Sequence, residues 1–283
     1  MIPIQDERFE TGHTDRVSQG DGIEDDGPYL YLDCSSGISG DMFVAALLDL
    51  GVDRRIMDRA LRSLPLTGFR YEVTVFRRPG LEACDFNVIT GPEANPGTLC
   101  RRRLAERMDD RHTEIRGLPD VERVIKAAEC STGAKELALR IFGIIAEAEA
   151  EAHGVRLDEV HFHEVGAVDS IVDVLSAAVC MDALGVRRVI ITELWEGSGS
   201  VECEHGILPV PVPAVSIIAR DHGLPLRRLD HEGEHVTPTG AAIAAAIRTD
   251  DELPDSYSVE SSGIGVGKRY RERSSVLRAM LIS

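Results

Sequence analysis

The apolar residues Leu137, Ile141, Ile144, Ile145 and Ala148 recur three or four positions apart, the spacing that lines them along one stripe of a helix. The pattern predicts a core-facing helix over 133–153. The same period appears in 41–50, which halts at Gly51, in 53–63, in 119–130, and from Val168 through Ile171, Val172, Leu175, Ala178 and Val179. Pro213 suits the first turn of a further helix, and Thr237-Pro238-Thr239-Gly240 opens one that runs through Ala241 to Ile247. Short apolar or alternating runs predict strands at 29–34, 69–77, 85–90, 189–194, 257–266 and 276–282. Helices and strands intermix without an internal repeat, so the expected class is α/β or α+β, a mixed sheet with flanking helices. Residues 1–27 are acidic and polar and read as a disordered leader. The polar stretch 92–116 reads as a flexible connection that would let 28–283 form two lobes.

The segment from Val160 to Asp173 gathers two imidazoles and three carboxylates into fourteen residues, the composition of a metal site. On an extended strand His161 and His163 project to one side and can meet one ion, with Glu164 on the other side. On a helix the two rings would point roughly 200° apart. Helical periodicity resumes at Val168, with Asp169 and Asp173 four residues apart on a face separate from the apolar one. Two bland readings stand beside this one: His-x-His as a hydrogen-bonded pair near a loop, and Asp169 as a helix cap. Mixed nitrogen and oxygen ligands suit nickel, zinc, iron or manganese alike.

Composition narrows the classes. The chain has 283 residues, 43% of them hydrophobic, and a net charge of −17; its mean hydropathy is −0.08. No apolar run reaches the length of a membrane span. Strong negative charge argues against a nucleic-acid partner, and Arg101-Arg102-Arg103 reads as a solvated face. Six cysteines at 34, 84, 100, 130, 180 and 203 form no Cys-x-x-Cys pair, which fits a reduced, cytoplasmic setting. Cys34 stands out by lying between a strand end and a glycine turn. Lys occurs only at 126, 135 and 268, and this Arg-rich acidic balance resembles the proteins of salt-loving microbes. That expectation fails if molar KCl does not raise the unfolding temperature.

Three loops carry further candidate chemistry. In Gly37-Ile38-Ser39-Gly40-Asp41 the backbone N–H groups at a helix start could meet an anion, and Asp33 and Asp41 flank the turn; a purely structural turn with Asp41 as cap is the alternative. Thr237, Thr239 and Gly240 offer a second anion site, against the alternative of an ordinary capped helix. His205, Glu234 and His235 add titratable groups, and a cleft shared by these loops is expected because ligands gather at strand ends in α/β folds. Gly263-Ile264-Gly265-Val266-Gly267-Lys268 has nucleotide-loop glycines but no following helix, so it is set aside.

Five segments occur in the order found in the LarC family: Tyr31 to Met42, Ala148 to Gly154, His161 to Asp173, His205 to Pro211, and Thr237 to Ala242. From about Tyr29 onward the chain is identified as resembling that family. The resemblance implies a cyclometallase, a CTP-dependent nickel chelatase of the lyase class. It would place Ni2+ into pyridinium-3,5-bisthiocarboxylic acid mononucleotide, with one carbon–nickel and two sulfur–nickel bonds, for lactate racemase and related enzymes. It implies His161, His163, Glu164, Asp169 and Asp173 at the metal. Glu164 or His163 would serve as the base, and Asp33, Gly37, Gly40, Asp41, His205, Thr237, Thr239 and Gly240 would contact the ligand. Full-length members carry a C-terminal domain binding CTP with Mg2+ or Mn2+. That domain is expected here as a separate subunit, the alternative being loss of the CTP step, beside a lactate racemase-type apoenzyme and homo-oligomer formation as further partners. Ser35 departs from the family's Phe. Two rivals remain from the residues themselves: a metal-dependent hydrolase using His-x-His to activate water, and a non-catalytic nickel store.

Overall fold

The computed structural model describes residues 27–90, 117–160, 168–203, 205–268 and 275–283. The chain runs β1 (Tyr29–Asp33), α1 (Gly40–Asp49), α2 (Arg54–Arg62), β2 (Phe69–Arg78), β3 (Leu81–Thr90), α3 (Leu118–Ala127), α4 (Thr132–His153), α5 (Val168–Leu184), β4 (Val189–Ile190) and β5 (Leu194–Ser198). It continues through β6 (Ser200–Cys203), β7 (Gly206–Pro209), α6 (Pro213–Asp221), β8 (Leu226–Glu232), α7 (Pro238–Ile247), β9 (Val259–Val266) and β10 (Val276–Ile282). Six strands form a mixed sheet in the order β2-β3-β9-β10-β1-β4, while β5-β8 and β6-β7 make two small two-stranded sheets. The expected mixed α/β class is what the structure shows.

Local chemistry explains the helix ends. Asp53 and Ser131 cap α2 and α4 by accepting the N–H groups of Arg55 and Ala134, and Gly154 stops α4 in the left-handed region with φ 65°. Ile141, Ile145 and Ala148 on α4 are buried, and α4 packs on α5, α6 and α7. The core lies between these helices and the sheet.

Several expectations need correction. Strand β3 begins at Leu81 rather than residue 85, because a turn at Pro79–Gly80 (Gly80 φ 79°) sets Arg78 opposite Leu81 and the ladder runs from there. The run 189–194 is divided: Val189–Ile190 pairs with β1, and Leu194 starts β5 against β8. Gly263 and Gly265 lie in β9, in agreement with the strand expected over 257–266, and Gly267 follows its end; α1 crosses β9 so closely that a Cβ on Gly265 would stand 2.0 Å from the Met42 carbonyl oxygen. Among the described residues no helix is long and apolar enough to cross a membrane. Residues 1–26 and 91–116, and so nearly all of the expected leader and the whole expected connection, lie outside the described residues.

Candidate functional site

The β1–α1 loop and the loop before α7 cross at Ile38 and Val236. Ile38 N–H donates to the His235 carbonyl at 3.0 Å and Thr237 N–H to the Ile38 carbonyl at 3.1 Å. Contact is close enough that a Cβ on Gly240 would fall 2.2 Å from the Ile38 oxygen. Glu196, only 2% exposed, fastens the second loop from behind. Its Oε1 accepts the N–H groups of Gly197, His235 and Val236 at 2.8, 2.7 and 3.1 Å. Burial raises the Glu196 carboxyl pKa, and those three N–H groups oppose the rise.

This crossing brings the first turns of α1 and α7 side by side. Thr237 caps α7, accepting the Gly240 N–H at 3.1 Å, as the sequence predicts. Asp41 is not a cap: Ser39 holds that position, and Asp41 Oδ1 accepts the Met42 N–H at 2.9 Å and the Ser39 hydroxyl. Its Oδ2 lies 3.8 Å from Lys268 Nζ. Ser39, Asp41, Glu234, His235, Thr237 and Lys268 are among the residues lining a cavity of about 130 Å3.

Asp173, on α5, does not line this cavity but packs against the first turn of α1 behind it. A Cβ on Gly40 would lie 3.1 Å from the Asp173 Cβ, 3.2 Å from its Oδ2 and 3.0 Å from Thr239 Cγ2. Asp173 therefore faces α1, not an open polar face. Its Oδ1 is shut off from solvent and has no hydrogen-bond partner among the described residues. Burial, and then the charge of Asp41, push its carboxyl pKa well above the usual range, with Lys268 pulling the other way and Asp169 adding to the rise. A carboxyl so placed is short of positive charge. Asp169 sits in the first turn of α5, where it accepts the Ser170 N–H at 2.9 Å and its charge suits the helix end.

Other expected residues lie elsewhere. Asp33 is committed to Arg278, whose Nε donates to Oδ2 at 3.0 Å. Burial opposes its ionisation, but the guanidinium and the Ser35 hydrogen bonds prevail and lower its pKa. His205 does not line the cavity; it stands against His153, with ring centroids 4.9 Å apart. Cys34 is buried, and burial followed by the Asp33 charge drives its thiol far above the reactive range. Gly37 stays at the crossing, its N–H donating to the Cys34 carbonyl. His161, His163 and Glu164 lie outside the described residues. Among the described residues no three His, Cys, Asp or Glu side chains gather so as to hold a metal ion. Sequence reading passed over Lys268 and Glu196, whose parts become visible only through neighbours far along the chain.

Fold and cleft together define a mixed α/β protein with a small polar cavity beside the N-termini of two helices whose preceding loops cross. The chain belongs to the nickel insertion protein family, whose model matches residues 30–283. It is similar to a pyridinium-3,5-bisthiocarboxylic acid mononucleotide nickel insertion protein of Alkaliphilus metalliredigens, 50% identical over 255 residues, 89% of this chain and 60% of that one. It is also similar to a protein of the same description from Acetivibrio thermocellus, 38% identical over 252 residues with the same coverage. A putative nickel insertion protein of Geobacter metallireducens is 42% identical over 255 residues, again 89% and 60% of the two chains. The chain thus spans about 60% of the length of these relatives. No solved structure matches it.

Proposed function

We propose that this chain is the nickel-handling part of an insertion protein that places Ni2+ into pyridinium-3,5-bisthiocarboxylic acid mononucleotide. Two of the relatives above carry that description, and the cleft has the matching chemistry. The observation that carries the reading is the sealed Asp173 Oδ1, without a hydrogen-bond partner among the described residues, beside Asp41 at a point where two helix N-termini meet. Carboxylates there favour a cation, and the Thr239 N–H in the first turn of α7, with the helix dipole and Lys268, favours the phosphate of an anionic nucleotide.

His161, His163 and Glu164 join Asp169 and Asp173 as nickel ligands in this reading. Oxygen and imidazole donors release a borderline cation more readily than a closed thiolate cage. In the insertion step the ring C–H bond gives its electron pair to nickel and its proton to a base, Glu164 or His163. Each thiocarboxylate sulfur donates a pair, and nickel remains divalent. CTP with Mg2+ or Mn2+ acts through a separate C-terminal subunit, which makes the whole a CTP-dependent chelatase. The product loads lactate racemase-type apoenzymes in the cytoplasm.

The test combines the purified chain, Ni2+ and the bisthiocarboxylate nucleotide, with and without CTP and a C-terminal subunit, and follows the absorbance of the nickel product. Product in any combination supports the reading. None in every combination, with nickel binding retained, refutes insertion and leaves a storage protein; turnover of generic phosphoesters instead points to a hydrolase.

A further inference from the structure

His153 and His205 come from distant parts of the sequence and meet at the surface. His153 closes the last turn of α4, and His205 lies at the turn of the β6–β7 hairpin, next to Gly206, whose φ is 92°. Their ring centroids are 4.9 Å apart and the planes are inclined by 49°, so the rings are not stacked. This separation has a chemical meaning. A nitrogen about 2.1 Å from a metal places its ring centre about 3.2 Å away, so two imidazoles sharing one ion at angles of 90–109° have centres about 4.5–5.2 Å apart. The observed value falls inside that window.

Glu149, one turn earlier on the same face of α4, sets its Oε2 3.5 Å from His153 Nε2. A carboxylate in that position orients the ring and raises the basicity of its other nitrogen, as carboxylates behind metal-bound histidines do. Both imidazoles are exposed, so an ion could arrive from solvent. Neither lines the cleft that holds Asp41 and Lys268.

We propose that His153 and His205 form a two-imidazole docking site for a divalent first-row metal ion, with Glu149 orienting His153. Solvent reaches both imidazoles, so an acceptor can reach the ion, which suits capture and onward transfer rather than storage. The site rests on the insertion reading only for the identity of its ion, nickel.

The test is calorimetric titration of the full chain with Ni2+, comparing wild type with His153→Gln, His205→Gln and the pair together. A His161→Ala/His163→Ala variant serves as a separate background. In that background one class of nickel site should persist. Either glutamine variant should weaken it at least tenfold, and the double variant should do no more than either single one. An unchanged isotherm in a folded double variant overturns the proposal. If a glutamine variant does not fold, pulsed EPR of Cu2+ bound to the His161→Ala/His163→Ala protein counts ligating imidazoles. Two support the site, while one or none overturns it. Loss of this binding without loss of insertion leaves the function standing and removes its role in delivery; lost insertion with this binding intact does the reverse.

Discussion

Glu196 Oε1 accepts the backbone N–H of His235 at 2.7 Å across 39 residues of sequence, and through this bond the cleft loop is held from inside the protein. Glu196→Ala would leave three N–H groups without their acceptor. We expect it to destabilise the fold by about 2–3 kcal/mol in urea unfolding, and Glu196→Gln, which keeps a carbonyl acceptor, by about 1 kcal/mol. Equal losses in the two variants would show that the hydrogen bonds are not what matters.

Asp173 presents the opposite balance. Its carboxyl pKa is raised in the fold, so the stability of the protonated form is fully present below the unfolded value and is lost as pH rises through the folded one. Asp173→Asn should therefore melt higher than wild type in metal-free buffer, by a margin that widens from pH 4 to pH 8. The same substitution should abolish nickel insertion. A margin that does not change with pH would contradict the environment described for this side chain.

Asp33 titrates with the reverse sign. Arg278 and the Ser35 hydrogen bonds hold its pKa below the usual range, so its contribution is present above the unfolded value of about 3.9 and is lost as pH falls through the folded one. Arg278→Ala should lower stability near neutrality by about 1 kcal/mol. The gap from wild type should close in melts taken toward pH 3.

At the crossing, Gly240→Ala sets a methyl group 2.2 Å from a backbone oxygen. The first turn of α7 must shift, at a cost of about 1–3 kcal/mol. Thr237→Ala removes only the cap and should cost about 1 kcal/mol. Both should raise the KM for the nucleotide more than they lower nickel affinity in titrations. The converse pattern would place the nucleotide elsewhere.

His161→Ala with His163→Ala should weaken nickel binding by at least tenfold while leaving the melting temperature within a few degrees of wild type. Unchanged affinity would make the pair structural.

Long periodic segments were legible: α4 and α5 follow from their apolar spacing because each buries a continuous stripe. Strands β5 to β8 were not. Those of four or five residues carry too little alternation to stand out, and β8 is largely exposed apart from Leu229. Capping of α7 could be read from Thr237-Pro238, since a cap needs only neighbours in sequence. Lys268 could not be placed, because its partner Asp41 is brought to it by the packing of α1 on β9. Asp173 shows the limit of periodicity: its spacing from Asp169 is polar and surface-like, yet α5 is turned so that α1 covers it. The residues named through the family resemblance include Asp41 and Thr237, which line the cavity, and His205 and Asp33, which do not.

The pairing of β1 with β10, from Tyr29 opposite Ile282 to Asp33 opposite Arg278, bears on biosynthesis. A ribosome delivers the first strand long before the last, and such distant pairing forms slowly. Until residue 282 has left the exit tunnel, β1 lacks its antiparallel neighbour and Lys268 has no finished sheet to carry it toward Asp41. Completion of the cleft therefore waits on the synthesis of β10.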